Sequence, residues 1–188
     1  MPTSPKQYDP EEHQKTKVRL VGVLCTISFL SCSAFSQMSP FYPIKAKEKG
    51  VSVAWTGLVI GTMAVFQILS SFVVGRYLTQ LGGRNTVIFM ATIMIISQAL
   101  ILGLLDFVED SRTFVVLSFV AQLLGGLGAG ANSTSSMAIL SSFSNEEREK
   151  YIGIVEASFG LGLLFGPLIG AVFYKLGGYV APFLFFGK

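Results

Sequence analysis

Histidine occurs once in the 188 residues, at His13 near the amino terminus, and cysteine twice, at Cys25 and Cys32. One imidazole and two thiols cannot assemble the usual His/Cys metal sites, and no Asp/Glu cluster completes a metal centre or a nucleophile–base pair. An enzyme and a bound metal or other cofactor are therefore not expected. Both cysteines fall inside one apolar stretch, where they read as free small packing residues and not as a disulfide framework. Charge is also scarce, at 13% against roughly 25% in soluble domains, while hydrophobic residues reach 51%. With a mean hydropathy of +0.60, such a chain lacks the polar shell of a soluble core, and lipid is the solvent it suits. A net charge of +3, with Lys45, Lys47 and Lys49 interrupted by Glu48, excludes a nucleic-acid surface and reads as a solvated loop near a membrane. The end of the first apolar stretch, QMSPFYP, offers no small-x-small processing site, so the first span is expected to stay in the product.

What is present is a series of long apolar runs. Residues 1–17 read as a cytosolic polar tail and 18–188 as a transmembrane bundle with helices at about 18–39, 53–78, 86–105, 113–141 and 151–174. A sixth begins near 179 and is incomplete at 188. About 20 helical residues at 1.5 Å each match a hydrocarbon core of roughly 30 Å. Pro40 and Pro43 are expected to stop the first helix. A β-barrel would alternate polar and apolar residues, which ATIMIISQALILGLL does not, whereas helices satisfy their own backbone groups in lipid. Placing the amino terminus in the cytosol puts Lys6, Lys15, Lys17, Arg19, Arg76, Arg84, Arg148 and Lys150 on that side. The opposite side then holds Lys45, Lys47, Lys49, Arg112 and Lys175, an asymmetry that favours this orientation. Tyr42 and Trp55 are expected to be interface anchors, and Asp106, Glu109 and Asp110 to be solvated turn charges. The linkers GRYLTQLGGRN and SNEEREK are too short for a catalytic domain, which leaves function between the helices.

The segment from residue 153 to 171 carries the most specific pattern. Gly162, Gly166 and Gly170 recur every four residues along one helix face, where a neighbouring backbone can approach closely. Pro167 removes the hydrogen bond to the Leu163 carbonyl and weakens that turn. The spacing Gly153, Gly162, Gly166-Pro167, Gly170 resembles the fifth-helix antiporter signature of the major facilitator superfamily, with Ala171 where a second glycine often stands. GRYLTQLGGRN is similar to the family's second-to-third loop through Gly75, Gly82 and Arg84, but carries Thr79, Gln80 and Gly83 in place of its acid and two basic residues. QLLGGLGAG puts Gln122 on the fourth-helix arginine position and Gly126 with Gly128 on the glycine pair. PFYPIKAKEKG, GIVEASFGLGLLFGP and YKLGGYVAPF resemble the vesicular amine and polyamine branch, whose members are similar to proton-coupled drug antiporters.

That resemblance implies an all-α membrane protein, the N-terminal six-helix bundle of a twelve-helix transporter. It implies proton-coupled antiport of a small organic cation such as an amine or polyamine by alternating access, with a C-terminal six-helix half as partner. The competing reading is a truncated, non-transporting protein that packs against or regulates a full transporter. An intracellular vesicle and the plasma membrane both remain open as its location.

Glu156 is the acid placed inside an apolar span. A charge at the bilayer midplane costs about 2.5–3.5 kcal/mol on insertion scales, so such a group is kept for proton or cation handling, or else as an anchor bonded to a neighbouring helix. Uncharged polar side chains that could complete a cavity are Ser28, Ser31, Ser36 and Gln37 in the first helix and Gln67 in the second. Gln122, Asn132, Ser135 and Ser136 supply candidates in the fourth, although serine also packs helices without touching ligand.

Overall fold

The computed structural model describes residues 10–36, 38–78, 80 and 84–179. Its helices are α1 (Pro10–Ser36), α2 (Met38–Glu48), α3 (Val53–Tyr77), α4 (Arg84–Leu104), α5 (Ser111–Leu140) and α6 (Asn145–Gly177), with a 3-10 turn at Leu105–Phe107. Five of the resulting spans are long and apolar enough to cross a membrane, the first running Gln14–Glu48 through α1 and α2. The expected beginning of a sixth helix lies outside the described residues beyond Tyr179.

Several ends differ from the sequence expectation for identifiable reasons. The expected stop at Pro40 and Pro43 does not occur: the chain stays helical to Glu48 with Pro43 inside it. Met38, Tyr42 and Ala46, one turn apart, are all buried there, and their packing outweighs the lost proline hydrogen bonds. Gly50, at φ 74, ends that helix: Val51 N–H reaches the Ala46 carbonyl at 2.9 Å and Gly50 N–H the Lys47 carbonyl at 3.1 Å. This crossed pair satisfies carbonyls that the helix end would otherwise leave open. The SNEEREK linker is mostly the first two turns of α6, with Ser144 at the cap and Glu146 and Glu147 beside the helix amino terminus. Acids there face the positive end of the helix dipole. Asp110 accepts from Thr113 N–H at 2.8 Å and caps α5.

Helix α5 lies between α3 and α4, and glycines set both contacts. A Cβ at Gly126 would meet the Met63 carbonyl oxygen at 2.5 Å, and one at Gly130 would collide with the Gln67 carbonyl. Across the other face, a Cβ at Gly128 would stand 2.8 Å from the Ala91 carbonyl oxygen. On α6, Gly162 and Gly166 make the same kind of seam with Phe29 and Ser33 of α1. These registers give direction: rising numbers on α5 meet rising numbers on α3 and falling numbers on α4, while α6 and α1 run together. Ser33 and Ser36 each donate a hydroxyl to the Gly162 carbonyl, at 3.2 and 3.3 Å, and Ser70 donates to the Leu127 carbonyl at 2.7 Å. In lipid, close backbone approach and such hydroxyl bridges replace the hydrophobic drive that water would supply.

Two apolar clusters close the bundle at opposite ends. Val21, Leu24, Ile139, Leu140, Tyr151 and Val155 pack near the start of the first span. Beside them Lys17 pairs with Glu147 at 2.8 Å and lies 5.6 Å over the Phe143 ring. The other end holds Tyr42, Ala46, Leu102, Leu105, Phe114 and Tyr179, with Tyr42 stacked on Phe114 at 5.8 Å. Tyr42 is thus a core residue and not an interface anchor, whereas Trp55 is half exposed and meets Phe119 edge-on. Asp106 is not a free turn charge either, since Lys45 pairs with it at 2.5 Å and Lys49 donates to its carbonyl. The Lys45–Lys49 run is correspondingly the end of a helix and its cap, not a solvated loop.

Candidate functional site

Between the two clusters, α1, α3, α5 and α6 line a partly open cavity of about 190 Å³. Each helix contributes a stripe at turn spacing: Ser28, Ser31, Cys32 and Phe35 from α1, Met63 and Gln67 from α3, and Ala129, Asn132, Ser133, Ser136 and Met137 from α5. Val155, Glu156 and Phe159 from α6 complete the wall.

Six of the residues singled out in the sequence are therefore brought together: Ser28, Ser31, Gln67, Asn132, Ser136 and Glu156. The others go elsewhere. Ser36 bonds to α6 and borders a separate crevice with Leu163 and Pro167. Ser135 is buried without lining the cavity. Gln122 is fully buried in a polar chain, accepting from Gln98 Nε2 at 2.7 Å and donating to the Met38 sulfur at 3.0 Å. Gln98 also donates to the Met63 sulfur at 3.8 Å, so this pair bridges α2, α3, α4 and α5 behind the cavity wall. A Cβ at Gly125 would collide with the Gln98 amide, which explains a glycine opposite it. Gln37 and Gly82 lie outside the described residues, as does the side chain of Arg84.

The glycine signature divides in the same way. Gly162 and Gly166 touch α1, and Gly170 is buried. Gly153 is exposed, with nothing within 4 Å of an added Cβ, so it serves no packing contact here. Gly75 has only ordinary contact with Thr134.

Chemically the cavity is rich in acceptors. Its lining has one carboxylate and, among the described residues, no Lys or Arg. Asn132 Oδ1 and Ser136 Oγ are buried with no hydrogen-bond partner among the described residues, a state that costs about 1–3 kcal/mol per group unless a ligand or water meets it. Glu156 is exposed and makes no hydrogen bond or ion pair among the described residues, so an anchoring role finds no partner there. Such an arrangement is chemically complementary to a hydrogen-bond donor carrying positive charge. Cys32, Phe35, Met63, Ser133, Met137 and Phe159 were not anticipated. Extending the polar positions by three or four residues finds several of them, but which stripe faces inward depends on helix rotation.

Five apolar spans packed through glycine seams around a cavity lined by both polar and apolar side chains are those of a multi-pass integral membrane protein. The Major Facilitator Superfamily model matches residues 24–187, and the chain belongs to that family. It is 33% identical over 154 residues to the MFS-type transporter SLC18B1 of Mus musculus, covering 81% of this chain and 33% of the relative. The Homo sapiens counterpart is 31% identical over 163 residues, covering 86% and 35%. The synaptic vesicular amine transporter of Bos taurus is 31% identical over 130 residues, covering 68% and 24%. The chain thus spans about a third of the length of the SLC18B1 relatives it matches.

Proposed function

We propose that this chain forms one bundle of a proton-coupled antiporter for a small organic cation such as an amine or polyamine. The observation that carries the reading is the cavity in which Glu156 stands with the unpartnered Asn132 and Ser136 and no cationic side chain among the described residues. A single carboxylate can hold either a proton or the substrate cation. Competition for that group couples the two, since filling it with one releases the other. The apolar clusters at the two ends hold this bundle together as one unit, and a second six-helix half would form the opposite wall against which it rocks in alternating access. Similarity to a protein named as a vesicular amine transporter supports the substrate class.

The test is uptake of labelled amines into sealed proteoliposomes holding the full-length product, driven by an imposed pH gradient. Uptake should collapse with the gradient, and Glu156→Gln should assemble normally while losing pH-dependent exchange. Unchanged pH dependence in that variant refutes the role of Glu156. Absence of uptake across a broad amine panel refutes the amine assignment. A chain that transports nothing but alters the rate of a complete transporter it co-purifies with would instead be a packing partner.

A further inference from the structure

A second hollow lies along the same side of α6. Phe35, Ser36, Ser39, Ile60, Leu163 and Pro167 border a crevice of about 350 Å³ beside the start of α2. Phe35 also lines the cavity that holds Glu156, so one ring stands between the two hollows. Three backbone carbonyls at the crevice lack the helical N–H that would meet them. Pro40, Pro43 and Pro167 stand four residues beyond Ser36, Ser39 and Leu163, and a proline nitrogen donates nothing. All three of those residues border the crevice, and no Lys, Arg or His stands among its described lining residues.

The remaining walls are mostly apolar, and an apolar hollow stays dry unless each water finds about two to four polar partners. Carbonyls freed by proline inside a membrane supply such partners, because a neighbouring hydroxyl or a water must meet them. Ser36 Oγ is engaged with the Gly162 carbonyl, so water is the donor at hand. Glu156, Gly160, Leu163 and Pro167 follow one another along one stripe of α6. Glu156 and Leu163 are separated by about 10 Å of helix axis, which about three or four waters at hydrogen-bond spacing bridge. Gly160 stands in that interval with nothing within 4 Å of an added Cβ, so no side chain fills it.

We infer that the crevice is a water-filled proton route that reaches Glu156 from the α2 end. This rests on the transport reading above and adds the path by which the proton arrives. The proton passes from hydronium to a Glu156 carboxylate oxygen: the new O–H bond forms as the hydronium O–H bond breaks, and water remains. Among the described residues that α1, α3 and α5 present to the Glu156 cavity, Cys32 is the other titratable group, and no cation repels the incoming proton.

Two measurements test the route. Ile60→Cys and Leu163→Cys, each made in the full-length product freed of its native cysteines and held in lipid nanodiscs, are treated with a trimethylammonium methanethiosulfonate. Both should react at least about tenfold faster than Leu161→Cys, half exposed on the other side of α6, because a thiol ionises in water and not in lipid. Rates as slow as that of Leu161→Cys overturn the water-filled crevice, whatever the protein transports. In proteoliposomes, Gly160→Leu fills the open interval and should slow amine uptake driven by a pH gradient at least about fivefold, with amine–amine exchange at equal pH kept within about twofold. Unchanged driven uptake overturns the route, and so does an equal loss of both activities, since the new side chain then obstructs the amine itself. Absence of driven uptake in the unmodified protein refutes the transport reading instead. The cysteine rates decide on the crevice in that case too, and they do not depend on Gly160→Leu folding.

Discussion

Substituting Gly162 by alanine tests the physical basis of the bundle. The new methyl would lie 2.5 Å from the Phe29 carbonyl oxygen and 3.0 Å from the Cys32 Cβ. Carbon and oxygen rest at roughly 3.3 Å or more, so α1 and α6 must part by about 0.8 Å, because the obstructing atom is backbone and cannot rotate away. A gap of ~0.5–1 Å forfeits a quarter to a half of each contact's attraction along the seam. Ser33 and Ser36, already at 3.2 and 3.3 Å from the Gly162 carbonyl, would lose their bonds, each worth about 0.6 kcal/mol in a membrane bundle. With an overpacking cost of about 1–3 kcal/mol, the expected loss is about 2–4 kcal/mol. Gly160, on the same helix, has nothing within 4 Å of an added Cβ, so Gly160→Ala should change stability by less than about 0.5 kcal/mol. Reversible denaturation in mixed micelles, followed by helical circular dichroism, compares the two. Equal shifts for both variants would refute the seam.

Other substitutions probe the polar framework. Gln98→Leu strips Gln122 Oε1 of its donor inside the core and should cost about 1–3 kcal/mol, while the double change Gln98→Leu with Gln122→Leu should recover part of that loss in the same denaturation assay. Lys45→Ala leaves Asp106 without its 2.5 Å partner at the end of the 3-10 turn region, and should raise amide exchange at Val108 and Phe114 without altering the α1–α6 seam. The Asp110 carboxyl is held below its ordinary value of 3.8, first by the Thr113 hydroxyl and then by the Thr113 amide. A lowered folded value means that its contribution to capping α5 is present above pH 3.8 and fades as pH falls through the lowered value. Thr113 amide protection should therefore weaken on acidification in the native chain, and Asp110→Asn should lose that dependence.

Hydropathy alone determined that this chain lives in lipid as helices, because long apolar runs have no other way to satisfy their backbones there. The four-residue spacing of Gly162 and Gly166 likewise announced a close helix contact, and the acid at 156 lines the cavity. What the sequence could not carry was rotation and partner choice. Proline chemistry argued for a stop at 40 to 43, yet burial of Met38, Tyr42 and Ala46 carries the helix onward. Gly153 shares the motif with Gly162 but faces open space, since a helix turns each residue by about 100° and only packing decides which neighbour it meets. Ser136 and Ser135 are adjacent in sequence and equivalent in chemistry. Only the tertiary structure turns the first into the cavity and the second into the core, because the position of α5 between its neighbours is set by the glycine seams on both its sides.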